Sequence, residues 1–222
     1  MNKPCELFAS IISDNPRDIF SNLRIYTDAN ISGLHFDVMD GNFVPRFGLY
    51  PEILKEIRNL TSLPIEVHLM TKNFERYLNQ FAEFGATRII FHVEATDSIS
   101  DSIDKVKESG AEVGIAINPN TKLDFIDQIV NRIDYIMLMA ITPGIPKHPF
   151  ITSTYQKINE LKKILFLNSS SAKIGVDGGV TFNNAKEIYN EGADVLICGS
   201  GTFFDPERTV KNNITLLQNI LN

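Results

Sequence analysis

The chain has 222 residues with 43% hydrophobic and 22% charged side chains, an ordinary soluble composition and length enough to bury a core without disulfides or a structural metal. Its 21 basic and 27 acidic residues leave a net charge of −6, which argues against a nucleic-acid partner because such proteins carry a basic stripe or patch. It does not exclude an anionic small molecule, since backbone N–H groups can cradle phosphate whatever the global charge.

The first apolar run, Leu7–Ile12, is too short for a secretory leader and ends in the turn-like Ser13-Asp14-Asn15-Pro16. Further runs follow at Gly33–Val38, Ile65–Met70, Arg88–Val93, Val113–Ile117, Tyr135–Met139, Lys173–Val176 and Asp194–Cys198. Each is short and mostly rich in Ile, Val, Leu or Phe, as buried parallel strands are. The stretches between them carry helical signals. Asn73 is the expected cap of a helix through Phe74, Tyr77, Leu78 and Phe81 that stops at Gly85. Ser98 opens another that ends at Gly110, and Thr181 a third that ends at Gly192. Phe84-Gly85-Ala86, Ser109-Gly110-Ala111 and Glu191-Gly192-Ala193 each place a glycine stop before the next strand.

Eight strand-like runs, each followed by a helix-like run, predict one domain over residues 1–222: a single (β/α)8 TIM barrel. An open doubly wound sheet would carry a Gly-x-Gly-x-x-Gly turn after its first strand, and none is present. The two cysteines, Cys5 and Cys198, form no Cys-x-x-Cys motif and read as free thiols of a reducing compartment. No segment is long and apolar enough for a membrane span. The expected location is cytoplasmic.

In such a barrel the active site lies at the C-terminal ends of the strands. Strand two ends in His35-Phe36-Asp37-Val38-Met39, so His35, Asp37 and Met39 share one face. Strand three contributes His68, and strand seven ends in Asp177-Gly178-Gly179. Either histidine alone would read as a hydrogen-bonded core residue, and Asp177 alone as a turn residue. Together at the strand ends of one barrel, two His and two Asp form a ligand set for Zn²⁺, Fe²⁺, Mn²⁺ or Co²⁺. Gly178 and Gly179 after strand seven, with Gly199, Ser200 and Gly201 after strand eight, occupy the loops that often bind phosphate in these barrels.

These motifs resemble the ribulose-phosphate 3-epimerase family over nearly the whole chain. Ala9-Ser10-Ile11-Ile12 is similar to its Pro-Ser-Ile-Leu opening, and His35 to Pro45, reading HFDVMDGNFVP, is close to its central signature. Val67-His68-Leu69-Met70, Phe91-His92-Val93-Glu94-Ala95, Asn118-Pro119, Met139 with Pro143-Gly144, Val176-Asp177-Gly178-Gly179-Val180 and Gly199-Ser200 continue the match. The resemblance implies inversion at carbon 3 of a ketose phosphate, with Asp37 and Asp177 as the acid/base pair, one on each face. It implies one divalent metal ion on His35, Asp37, His68 and Asp177, stabilising an enediolate, and no organic cofactor. Ser10 and His68 would contact substrate, Met39 and Met139 would pack beside the reacting carbons, and Gly144, Gly178, Gly179, Gly199 and Ser200 would line the substrate site. Family members are commonly homo-oligomers, and the same is expected here. Another group of phosphate-binding barrels, the decarboxylases and aldolases, uses Asp-x-Lys-x-x-Asp, and no Asp in this chain has Lys two positions later.

Two departures stand out. The family's Pro-Gly-Phe-Gly-Gly-Gln is here Pro143-Gly144-Ile145-Pro146-Lys147-His148, and proline has no N–H to offer a phosphate. Either Lys147 or His148 supplies a side-chain cation instead, or the substrate is a different sugar phosphate, such as the 6-phosphate of the ketohexose allulose. Arg46 is the second departure, standing where the family usually has Asn.

Overall fold

The computed structural model describes residues 4–145 and 148–222. Its sheet is a closed barrel of eight parallel strands in sequential order. The strands are β1 (Glu6–Ser10), β2 (Gly33–Met39), β3 (Ile65–Met70), β4 (Arg88–His92), β5 (Glu112–Ile117), β6 (Tyr135–Met139), β7 (Lys173–Asp177) and β8 (Val195–Cys198). Closure comes from β1 pairing with β8, with Ala9 opposite Cys198. The helices are α1 (Ile19–Asp28), α2 (Pro51–Leu60), α3 (Leu78–Glu83), α4 (Ile99–Glu108), α5 (Ser153–Leu167), α6 (Ala185–Glu191) and α7 (Val210–Leu221). The expected TIM barrel is therefore the observed fold.

Residue alternation divides the core in two. Leu34, Phe36, Val38, Val67, Leu69 and Phe91 belong to the large layer between strands and helices. A separate cluster fills the barrel interior, including Phe8, Ile90, Tyr135, Met137, Met139 and Ile197. His35, Asp37 and Met39 alternate with the outward Leu34, Phe36 and Val38, so all three face inward.

The expectation of a helix after every strand fails at β5. The segment that follows forms only 3-10 turns, Ile126–Gln128 and Val130–Arg132. Its buried apolar residues Leu123, Ile126, Ile129 and Ile133 recur close to every third position, the period of a 3-10 helix. Asn73 also differs from expectation. It takes a left-handed φ of 53°, makes no side-chain cap, and leads into a 3-10 turn before α3. Ser98 does cap α4, its Oγ accepting the N–H of Asp101. Thr181 opens a turn rather than the helix itself. Its N–H donates to Asn184 Oδ1 at 2.7 Å and its Oγ1 accepts the N–H of Asn184 at 3.3 Å, so α6 starts at Ala185. Gly85, Gly110 and Gly192 all take positive φ after their helices. Both cysteines are free. Among the described residues no helix is long and apolar enough to cross a membrane.

Candidate active site at the C-terminal mouth of the barrel

Register brings the polar residues together. Asp37 on β2 lies opposite His68 on β3, and Met139 on β6 lies opposite Asp177 on β7. Asp37 Oδ1 is 3.1 Å from His35 Nε2 and 3.2 Å from His68 Nδ1. Asp37 Oδ2 accepts the hydroxyl of Ser10 at 3.0 Å. Asp177 Oδ2 stands 3.8 Å from His68 Nδ1. One donor atom from each of His35, Asp37, His68 and Asp177 lies within 4.8 Å of the other three. Donors around a single first-row ion at about 2.0–2.2 Å cannot be more than about 4.4 Å apart, so contraction of a few tenths of an ångström would suit the set to an ion.

Electrostatics favour the same conclusion. Burial alone would raise Asp37, but the charge of His35 and hydrogen bonds from His35 and His68 outweigh it and hold the carboxyl far below its usual range. Asp177 moves the other way, pushed up to about 7 by burial, opposed by His35 but reinforced by the charges of Asp37 and Glu66. For His35, burial favours the neutral ring, but Asp37, Glu66 and Asp177 together raise its proton affinity well above normal. His68 is lowered to about 3, first by burial and then by the neighbouring His92 and His35. A crowded cluster whose Asp177 and His35 are pushed towards holding protons is a donor set that a divalent cation would complete.

Above this cluster opens a cavity of roughly 560 Å³. Its floor includes Ser10, Asp37 and Asp177, and Met39, Met70 and Met139 form an apolar wall. Gly144, Gly178, Gly179, Gly199 and Ser200 also line it, as do Arg46 and His148. His35 and His68 lie below the cavity surface, both fully buried. The structure thus separates His68 from the cavity wall, where a direct substrate contact was expected. Lys147 lies outside the described residues, as does Pro146.

The glycines at the β7 end have a steric reason. Gly178 and Gly179 take φ of 95° and 67°, and a Cβ at Gly179 would lie 2.9 Å from the Cα of Phe150. Only glycine holds this loop closely against the one after β6.

Sequence reasoning missed the residues behind the cluster. His35 Nδ1 contacts Glu66 Oε1 at 2.7 Å, and Arg88 Nη1 donates to Glu66 Oε2 at 2.8 Å. His92 Nε2 is 2.9 Å from His68 Nε2, while His92 Nδ1 is 3.1 Å from Glu94 Oε2. The signal was available for Glu66, which precedes His68 by two positions on β3 and so shares its face, whereas Glu94 lies in the 3-10 turn Val93–Ala95 after β4.

The ribulose-phosphate 3 epimerase family profile matches residues 6–203. The chain belongs to this family, a family of isomerases. A ribulose-phosphate 3-epimerase from Buchnera aphidicola subsp. Schizaphis graminum is 40% identical over 89% of this chain and 87% of its own length. The Escherichia coli K12 protein of that name is 38% identical over 78% of both chains. Among solved structures, phosphoribosyl anthranilate isomerase from Thermus thermophilus superposes with a TM-score of 0.70 at 14% identity, covering 97% of this chain and 98% of its own. A mutant tryptophan synthase alpha-subunit from Pyrococcus furiosus gives 0.67 at 16%, covering 98% of this chain and 97% of its own. These two share the fold, which fixes no function by itself.

Proposed function

We propose that this enzyme inverts carbon 3 of a ketose phosphate, interconverting D-ribulose 5-phosphate and D-xylulose 5-phosphate, with Asp37 and Asp177 as the proton-transferring pair. The observation that carries the reading is the placement of these two carboxyl groups on β2 and β7, converging on one buried His cluster at the cavity floor. Their proton affinities are pushed in opposite directions, which suits one carboxyl to start as base and the other as acid. His35, Asp37, His68 and Asp177 would hold a divalent ion. That ion supplies Lewis acidity, stabilising the negative charge that develops as a proton leaves the carbon beside a carbonyl.

The remaining work belongs to the chain itself. Asp37 receives the proton on one face of the sugar, and Asp177 delivers one on the other. Ser10 holds the second oxygen of Asp37 at 3.0 Å, fixing the plane of the carboxylate. Met39, Met70 and Met139 surround the reacting carbons with apolar surface and keep bulk water from reprotonating the intermediate. The backbone around Gly178, Gly179, Gly199 and Ser200 receives the phosphate.

The direct test is epimerisation of ribulose 5-phosphate by purified, metal-loaded protein, with Asp37→Asn beside it. Turnover that disappears in the variant supports the assignment; an inactive wild type would overturn the pentulose substrate. A second reading has one specific observation behind it. Arg46 lines the cavity where the resemblance expects Asn, which favours a longer or differently placed anion such as a ketohexose 6-phosphate. The same assay with allulose 6-phosphate separates the two.

A further inference from the structure

Behind His68 a polar chain runs from the buried His92 out to Glu94, and the proton-transfer step does not use it. Glu94 stands at the end of β4 with both carboxylate oxygens occupied. Oε1 accepts the N–H of Asn118 at 2.8 Å and the hydroxyl of Thr121 at 2.5 Å. Oε2 faces His92 Nδ1 at 3.1 Å. Lys157 of α5 pins the loop that supplies these donors, its Nζ donating to the carbonyls of Asn118, Pro119 and Thr121 at 2.6–3.2 Å.

The direction of donation then propagates. A carboxylate already accepting two hydrogen bonds is an acceptor towards His92, so Nδ1 of His92 carries the hydrogen. With its Nδ1 hydrogen committed to Glu94, His92 presents Nε2 as the acceptor, and a His68 that ligates through Nδ1 carries its hydrogen on Nε2, 2.9 Å away. With an ion held, His68 Nδ1 would ligate through its lone pair in place of its 3.2 Å hydrogen bond to Asp37 Oδ1.

We propose that His92 and Glu94 are positioning residues that select the metal-binding tautomer of His68 through a Glu94–His92–His68 hydrogen-bond chain, anchored by Thr121 and Lys157. The proposal rests on the reading of His68 as a metal ligand. It assigns this chain an effect on the affinity and geometry of the ion rather than on substrate binding. Removing the charged acceptor lets His92 present either nitrogen to His68, so a fraction of the protein holds His68 with Nδ1 protonated and unable to ligate. Outer partners of ligating histidines commonly change metal affinity by about 10–100-fold.

The test is a Co²⁺ titration of metal-free wild type, Glu94→Gln and Thr121→Val, followed by visible absorption and by competition with a chromophoric chelator. Glu94→Gln is expected to weaken Co²⁺ binding by about 10–100-fold and to alter the absorption bands. Thr121→Val, which keeps the carboxylate but removes one of its donors, should weaken binding by a smaller factor. KM for substrate at saturating metal should be unchanged in both. Co²⁺ affinity and spectrum within error of wild type in both variants would overturn the chain's role while leaving the ligand assignment intact. Wild type that takes no Co²⁺ would overturn the ligand assignment and this inference together. Should Glu94→Gln fail to fold, Thr121→Val decides by the same readings.

Discussion

Asp37 and Asp177 flank a single ring nitrogen, with His68 Nδ1 lying 3.2 Å from the first and 3.8 Å from the second. The two carboxyls come from strands three positions apart around the closed barrel. They meet because inward residues at the strand ends point at a common axis. Their environments differ sharply: Asp37 carries two imidazoles and a serine hydroxyl on its oxygens, whereas the burial of Asp177 is offset by the charge of His35 and the Gly178 N–H, with the His68 nitrogen 3.8 Å away.

Metal binding should be strongly pH-dependent. In the metal-free protein Asp177 is pushed up to about 7 by burial and by the charges of Asp37 and Glu66, and His35 is raised well above its ordinary value by Asp37 and Glu66 despite its burial. Both shifts are upward, so both groups hold protons that an incoming cation must displace. Affinity therefore rises with pH through neutrality and falls as pH drops below about 7. The slope of log affinity against pH is expected to lie between about one and two, one for each proton released. Calorimetric titration in two buffers of different ionisation enthalpy would count those protons, and a pH-independent affinity would contradict the assignment.

Replacing either carboxylate by its amide should remove turnover without unfolding the barrel. Asp37→Asn and Asp177→Asn are each expected to lower kcat by at least about 10²-fold, the lower end of what a positioned acid or base contributes. Proton exchange should distinguish them. Each epimer presents its carbon-bound hydrogen to one face only, so the variant lacking the base for that face stops exchange with solvent deuterium from that epimer first. Incorporation followed by NMR from both epimers reads this out, and equal loss of exchange from both would argue against a two-face mechanism.

The polar layer beneath the site supports a contrasting pair of stability predictions. Arg88 is 8% exposed, bonds Glu66 at 2.8 Å and Glu112 at 2.9 Å, and lies over the ring of Tyr135 at 4.3 Å. Arg88→Leu takes the guanidinium away from the buried Glu66, so a loss of about 3–5 kcal/mol is expected. The hydroxyl of Tyr135 finds no partner among the described residues. Tyr135→Phe discards a polar group already desolvated without return, and should change stability by less than about 1 kcal/mol. Urea unfolding of the two variants checks both.

Much of this was legible in the chain because the barrel repeats one local rule. Short apolar runs rich in β-branched residues, several preceded by a glycine that stops the helix before, mark the strands, and alternation places His35, Asp37 and His68 on the interior once closure is assumed. What stayed hidden has two physical sources. The stretch after β5 carries apolar residues close to every third position, a pattern that a helical reading absorbs until the turns themselves show 3-10 geometry. The outer partners Glu66, Arg88, His92 and Glu94 depend on contacts between neighbouring strands, which the order of residues within one strand does not specify. Arg88 in particular reads as the start of an apolar run, although its side chain crosses to Glu66 and Glu112.

Arg46 should control which sugar phosphate is accepted. It sits on the loop after β2, held by the Gly41 N–H bonding its carbonyl at 3.0 Å. That loop packs against the loop after β6, where a Cβ on Gly144 would lie 2.6 Å from Val44. The guanidinium thus belongs to the cavity rim beside the loop after β6. An always-charged fork of five donors placed there favours a phosphate or a hydroxyl-rich sugar end, and with asparagine only a short neutral amide remains. Arg46→Asn is expected to shift the ratio of kcat/KM for ribulose 5-phosphate over allulose 6-phosphate by about 10-fold or more, the size of one charge-assisted hydrogen bond. A rise in the ratio identifies Arg46 as selecting the longer sugar. A fall in both constants together, with the ratio fixed, identifies it as a general phosphate contact that replaces the missing N–H.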